Sequence, residues 1–245
     1  RVIQRIKDTS DLKVVSTFLG AHAVGRAYQG RQSEYVNLLI NEMIPAVASE
    51  RLADFIDVFC DEGFFTVDET DRLLDAGYKY GLRPKIHAEE LAASGGVAVA
   101  VKHDALSVDH LESMPDESMA LLKQSATMPT LLPGTSFFLN MPYGRGRRMI
   151  DEGLPIALAS DYNPGSTPSG DMKFIMSLAC IKMRLLPEEA FNAATLNGAA
   201  AMGLSDEYGS IAVGKQAKLI LTTPIPSLAY LSYAYTSPLI REMIL

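Results

Sequence analysis

The stretch Lys85-Ile86-His87-Ala88-Glu89-Glu90 closes a short apolar lead with a histidine and sets a carboxylate three residues further on. That spacing suits a strand presenting a metal ligand at its tip and a proton carrier just beyond. Two more strand-like runs end in chemistry, Ala105-Leu106-Ser107-Val108-Asp109-His110 and Pro155-Ile156-Ala157-Leu158-Ala159-Ser160-Asp161, and His22 follows a further run. A catalytic metal site for hydrolysis needs a few nitrogen and oxygen ligands, an open position for water and a base to take that water's proton. His87 and Asp161 have the chemistry of ligands, while Glu90 and His110 have the chemistry to hold and deprotonate the water. Each has a plainer alternative. Asp161 ahead of Asn163-Pro164-Gly165 equally suits an Asx turn, and His110 equally suits a core histidine donating to a carbonyl.

The elements that must position these side chains follow an alternating pattern. Residues 13–19 form a β-rich run that stops at Gly20, and a helix is expected from about Glu34 to Ala48, where Tyr35, Leu38, Leu39, Glu42 and Met43 keep helical spacing. Phe55 to Cys60 reads as a strand ended by Asp61-Glu62-Gly63. Thr66 reads as an N-cap whose box is completed by Glu69, opening a helix that runs to Tyr80 and stops at Gly81. Shorter units follow, with strands expected at 84–88, 105–109, 127–132 and 155–160 and helices at 95–103, 115–125 and 145–152. The residues around Ser177 to Cys180 read as a core helix and Glu188 to Asn197 as a further helix. Gly209 to Lys215 is expected to form turn, short strand and turn, with another strand from Lys218 to Thr222 and a strand-like end at Met243-Ile244-Leu245.

Alternating strands and helices at this pace imply parallel strands with crossover helices, so the fold class is α/β. In an eight-unit (β/α)8 barrel, functional residues gather at the C-terminal ends of the strands, where His22, His87, His110 and Asp161 all fall. A doubly wound open sheet usually brings a Gly-rich phosphate turn near its first strand, and no G-x-G-x-x-G occurs here. The barrel therefore fits better.

The chain has 245 residues, 48% of them hydrophobic and 21% charged, enough for one large α/β domain or two small ones with a substantial core. Its net charge of −7, from 22 basic and 29 acidic residues, offers no basic face for phosphate and argues against a nucleic-acid partner. No apolar run approaches the roughly 20 residues that span a bilayer, which argues against a membrane partner. Cys60 and Cys180 lie far apart in apolar runs, a usage that favours a reducing, cytoplasmic setting over a disulfide framework. His103-Asp104 reads as a solvated helix end and Arg145-Gly146-Arg147-Arg148 as a basic helix start.

The chain resembles the imidazolonepropionase family of the metal-dependent amidohydrolase superfamily. The resemblance runs through Thr17-Phe18-Leu19-Gly20-Ala21-His22-Ala23, Glu42-Met43-Ile44-Pro45, Val58-Phe59-Cys60 with Gly63-Phe64-Phe65, Lys85-Ile86-His87-Ala88 with Glu90, Leu106-Ser107 with Asp109-His110-Leu111, and Asp161 with Asn163-Pro164-Gly165-Ser166. The Gly214-Lys215-Gln216-Ala217 turn resembles the return strand of that superfamily's small β-sandwich. The resemblance implies hydrolytic opening of a cyclic amide, 4-imidazolone-5-propanoate to N-formimidoyl-L-glutamate, in histidine degradation. It implies His87 and Asp161 as ligands of one divalent metal, zinc or iron. Glu90 would touch the substrate and help activate water, His110 would hydrogen-bond the nucleophile, and Asp161 would share in the proton transfer. His22 would contact the imidazolone, with Asn163, Gly165 and Ser166 lining the substrate or product site.

Departures from the family pattern shape the remaining expectations. The family's His-x-His pair on the first strand has no counterpart, and neither do its early Arg and Tyr. Two protein ligands are too few for a tight site. The chain opens at Arg1 without an initiator Met, so the expectation is the remainder of a longer chain that lacks barrel strands one and two and half the metal site. Residues 1–203 are expected to form the partial catalytic barrel, and 204–245 a C-terminal segment carrying part of the β-sandwich. A small-molecule substrate is the expected partner, with a homodimer as a further possibility. Two rivals stand beside this reading: a nucleobase-type aminohydrolase using the same residues, and a barrel fragment without catalysis.

Overall fold

Short and largely buried runs, as expected of parallel strands covered on both faces, build six strands in the first two thirds of the chain. They are β1 (Thr17–Ala21), β2 (Phe55–Cys60), β3 (Arg83–Ala88), β4 (Ser107–His110), β5 (Met128–Leu131) and β6 (Ala157–Leu158). The structure is a computed structural model that describes residues 1–245. It divides into two compact units, one of Arg1–Asp109 with Ser113–Thr127 and the other of His110–Glu112 with Met128–Leu245.

In the first unit the strands lie in chain order, β1-β2-β3-β4. β1 pairs with β2 in parallel, and β2 with β3 likewise, in a register that sets Asp57 beside Lys85 and Phe59 beside His87. Helices between successive strands supply the crossovers that parallel pairing demands. The helix Val67–Lys79 starts at the expected capping box, in which the Thr66 side chain accepts from the Glu69 amide while the Glu69 carboxylate accepts from the Thr66 amide. Leu73 and Leu74 of that helix are fully buried, each contributing about 1.5–3 kcal/mol of transfer free energy. The helix Gly96–Lys102 approaches β2 and β3 so closely that a Cβ on Gly96 would stand 2.5 Å from the Ala88 Cβ, which only glycine permits.

Three expectations for this unit need correction. The first strand begins at Thr17 rather than at residue 13, because pairing with β2 starts at Thr17 opposite Phe55. The backbone amide of Ser16, just ahead of it, donates to Asp54 Oδ2 at 2.7 Å. The helix expected over 34–48 is interrupted. An α-helix over Gln32–Leu38 widens into a π-turn over Leu39–Met43 before resuming as Ile44–Ser49. Pro45 accounts for the break, since it has no N–H to donate and its ring would clash with the carbonyl four residues back. His103 departs from its reading as well. Its side chain is buried, with Nε2 2.7 Å from Asp71 Oδ1.

In the second unit β5 and β6 pair in parallel, Thr130 with Ala157 and Leu131 with Leu158. A helix over Pro133–Phe138, opened by its proline, follows β5 directly and was not legible in its short aromatic sequence. The expected helices appear over Gly146–Asp151 and Met172–Lys182, whereas the one expected over Glu188–Asn197 breaks at Thr195 into Pro187–Ala194 and Leu196–Ala201. The basic helix start is occupied by ion pairs, Arg147 with Glu189 at 2.7 Å and Arg148 with Glu152 at 2.8 Å. No strand forms at Ile211–Val213. Backbone bonding from Gln216 N to Glu207 O at 2.9 Å closes that stretch as a loop, and both Ile211 and Val213 are exposed. The strands β7 (Leu219–Thr222) and β8 (Ile240–Ile244) then form an antiparallel pair. No helix is long and apolar enough to cross a membrane.

Candidate metal centre and active-site residues

The period of two along a strand sorts β2 and β3 into two faces. Ile56, Val58 and Cys60 of β2, with Pro84, Ile86 and Ala88 of β3, form one buried and almost wholly apolar set. Asp57, Phe59, Lys85 and His87 alternate with them and share the opposite face. β1 ends at Ala21, and His22 follows it immediately.

On that polar face His22, Asp57 and His87 come together. His87 Nδ1 lies 2.9 Å from Asp57 Oδ1, and His22 Nε2 lies 3.3 Å from the same oxygen. The two imidazole rings meet edge to face with centroids 4.6 Å apart. Burial alone would raise the Asp57 carboxyl, but the charge of His87 and the hydrogen bonds from His22 and His87 outweigh it and hold the group well below the usual carboxylate range. One ligand atom from each residue lies within 4.8 Å of the others. Two imidazole nitrogens and a carboxylate oxygen are a donor set that zinc and ferrous iron both accept, so these side chains fit a divalent metal. Around them, Asp109 Oδ2 stands 4.0 Å from His87 Nδ1 and 4.0 Å from Lys85 Nζ, and Ser107 Oγ donates to Asp109 Oδ1 at 2.7 Å. A cavity of about 480 Å³ lined by Ala23, Val24, Gln29, Gln32, Phe64 and Phe65 opens at the residues just beyond β1 and β2.

Glu90 sits in the loop that leaves β3 and is 8% exposed. Its neighbour Glu89 takes a left-handed backbone, φ +55°, and its carboxylate accepts from Ser118 Oγ at 2.8 Å. Burial pushes the Glu89 carboxyl up to about 7 against the lowering effect of that hydroxyl.

In the second unit His110 closes β4 with φ +87°, followed by Leu111 at φ +71°. Consecutive left-handed non-glycine residues are costly and concentrate at functional sites. His110 Nδ1 lies 3.5 Å from Glu112 Oε2, and Ser136 Oγ donates to Glu112 Oε1 at 3.1 Å, all three residues being buried. Asp161, also left-handed, lies in the loop beyond β6, where its Oδ2 accepts from Thr135 Oγ1 at 2.7 Å and from Ser166 Oγ at 3.1 Å. The Asx turn that is the plainer alternative for Asp161 belongs to Asn163, whose Oδ1 accepts from the amides of Gly165 at 2.9 Å and Ser166 at 2.8 Å.

Of the residues singled out from sequence, the first unit brings His22 and His87 into contact, and the second brings Asp161, Asn163, Gly165 and Ser166 into one loop. Asp57, Glu112 and Thr135 escaped notice. A carboxylate inside an apolar strand is the signal that would have found Asp57, because buried Asp is rarely tolerated unpaired. Glu112 and Thr135 carry no comparable local signature.

Comparison with known proteins bears on this arrangement. The Amidohydrolase family matches residues 65–236. The chain is 51% identical over 243 residues to an imidazolonepropionase of Flavobacterium psychrophilum, covering 99% of this chain and 59% of the relative. It is 53% identical to that of Christiangramia forsetii, covering 96% and 57%, and 45% identical to that of Caldanaerobacter subterraneus subsp. tengcongensis, covering 96% and 56%. The chain thus spans somewhat under three fifths of the length of these curated relatives. Among solved structures, a triazine hydrolase variant superposes with a TM-score of 0.70 at 15% identity, over 89% of this chain and 54% of its own. An adenosine deaminase from Xanthomonas campestris with bound zinc superposes at 0.64 and 20% identity, over 82% and 52%. At such identities the likeness shows the fold alone, that of α/β amidohydrolase barrels, of which this chain carries a part. With the family match extending over more than half its length, the chain belongs to the amidohydrolase family.

Proposed function

We propose that this chain is the greater part of a metal-dependent hydrolase that opens a cyclic amide, converting 4-imidazolone-5-propanoate and water to N-formimidoyl-L-glutamate in histidine degradation. The observation that carries the reading is the 51–53% identity to imidazolonepropionases over almost all of this chain. A superfamily-wide likeness would support only hydrolysis in general. The polar face holding His22, Asp57 and His87 independently supports the metal dependence of this reading.

In this reading His87 is the one member of the His22-Asp57-His87 group that holds a zinc or iron ion, together with Asp161, while Asp57 fixes the imidazole of His87 instead of binding the ion itself. The metal, when bound, acidifies the attacking water and polarises the amide carbonyl. Glu90 receives the water's proton, sharing that task with Asp161, and passes it to the ring nitrogen as the C–N bond breaks. His110, set by Glu112, donates a hydrogen bond to the oxygen on which charge develops. His22 contacts the imidazolone beside the cavity at the ends of β1 and β2, and Asn163, Gly165 and Ser166 line the substrate or product site. Residues 1–203 would be the catalytic barrel and 204–245 part of the small β-sandwich. Cytoplasmic residence completes the proposal.

The test is a mass-spectrometric assay with 4-imidazolone-5-propanoate, run on these 245 residues alone and mixed with the part of the Flavobacterium psychrophilum relative that they do not span. Addition of one water to the substrate is the expected result. Ammonia release from aminated nucleobases without ring opening would favour an aminohydrolase, and no turnover by either preparation with metal bound would reject catalysis.

A further inference from the structure

β2 carries none of the groups that react in the proposed mechanism, yet the first residue beyond it makes an unusual set of bonds. Asp61 is 5% exposed, and its carboxylate accepts from four main-chain amides. Oδ1 takes Glu62 N at 2.7 Å and Ala92 N at 3.2 Å, while Oδ2 takes Glu90 N at 2.8 Å and Leu91 N at 3.0 Å. Three consecutive amides of the loop after β3 therefore point at one anion, a concave arrangement of N–H groups like those that bind phosphate, here filled from within the chain. Charge-assisted bonds of this kind are about twice as strong as neutral ones.

The loop so held carries Glu90. It is pinned from the other side by Ser113, whose amide donates to Glu89 O at 2.7 Å and whose hydroxyl donates to Glu90 O at 3.0 Å. The left-handed backbone of Glu89, φ +55°, persists because these bonds over-determine it. We propose that Asp61 is a positioning residue whose carboxylate fixes the Glu90 backbone so that its side chain meets the water it deprotonates. The inference rests on Glu90 being the proton carrier of the proposed function. A misplacement of a few tenths of an ångström in a general base lowers turnover while leaving ground-state binding largely intact.

The experiment is a double-mutant cycle in the preparation that opens the imidazolone ring, with metal content and amide hydrogen exchange read in parallel. Asp61→Asn removes the charge and half of the acceptor capacity. It should lower kcat tenfold or more, leave KM within about threefold, leave metal content unchanged, and speed exchange at the amides of residues 90–92 at least tenfold. In a Glu90→Gln background the same substitution should no longer change kcat. An equal fall in kcat in both backgrounds, or unchanged exchange at residues 90–92, would overturn the proposal. Should Asp61→Asn fail to fold, Ser113→Ala offers the same test. It should reduce kcat about threefold with Glu90 present and not at all in Glu90→Gln, and full activity in the single variant would count against the proposal. Glu90→Gln retaining normal turnover would instead remove Glu90 from the mechanism and the proposal with it, an outcome distinct from failure of the cycle alone.

Discussion

Asp57 and His87, thirty positions apart on neighbouring strands, are joined through Oδ1 and Nδ1 at 2.9 Å, with the carboxylate almost wholly buried. With the carboxylate ionised, the imidazole proton resides on Nδ1, and Nε2 keeps its lone pair for a cation. The parallel register that sets Phe59 beside His87 places Asp57 one step back along the same face, so the pairing follows from the sheet itself.

Asp57→Asn should therefore weaken metal binding by about 10–100-fold, the usual cost of losing a carboxylate that orients a histidine ligand. Competitive titration with a chromogenic chelator measures it without recourse to turnover. Unchanged affinity would mean that the carboxylate neither orients nor binds at this centre.

Glu90→Gln should leave metal content at the wild-type level and lower turnover by about two orders of magnitude or more, as expected when a general base is lost. Elemental analysis together with the ring-opening assay separates this from a ligand role, since a ligand's loss would reduce both.

The strand and helix alternation was legible because β2, β3 and the helix Val67–Lys79 obey local rules of period and capping, and there the expected bounds hold to within a residue or two. Features that depend on distant partners were not. The π-turn at Leu39–Met43 arises from Pro45 within an otherwise helical run, and Ile211–Val213 has strand-like residues but no ladder. At the site, histidines at strand ends were visible because their chemistry is rare. Asp57 was absorbed into an apolar run whose alternation marks it as facing His87 only once the register is known, and Thr135 meets Asp161 only through the fold.

Thr135→Val should destabilise the protein by about 1–3 kcal/mol, although the two side chains are nearly the same size. The hydroxyl donates to Asp161 Oδ2 at 2.7 Å and lies 2.8 Å from Thr167 Oγ1, and Thr135 and Thr167 are both buried. Removing it leaves the buried Thr167 hydroxyl and one oxygen of the half-buried Asp161 short of a partner. Urea unfolding followed by circular dichroism gives the difference, and a shift below a few tenths of a kcal/mol would show that the partners re-pair.

Asp54 joins the N-terminal helix Val2–Thr9 to the start of β1, and its contribution should depend on pH. Its Oδ2 accepts from Lys7 Nζ at 2.6 Å, from the Ser16 amide at 2.7 Å and from Ser16 Oγ at 3.0 Å. Partial burial would raise its carboxyl, but the Lys7 and Ser16 bonds outweigh that and hold it below the ordinary 3.8. A carboxyl lowered on folding binds fewer protons in the native state than in the unfolded chain. Its stabilisation is accordingly complete above the ordinary value and fades as pH falls through the native one. Asp54→Asn should be less stable than wild type in urea at pH 7, by a modest amount since the side chain is half exposed. The two proteins should converge as the pH falls through the lowered native value of the Asp54 carboxyl, where the wild-type group protonates as well. A gap of the same size at both ends of that range would locate the effect in shape or in the Ser16 contacts rather than in the charge.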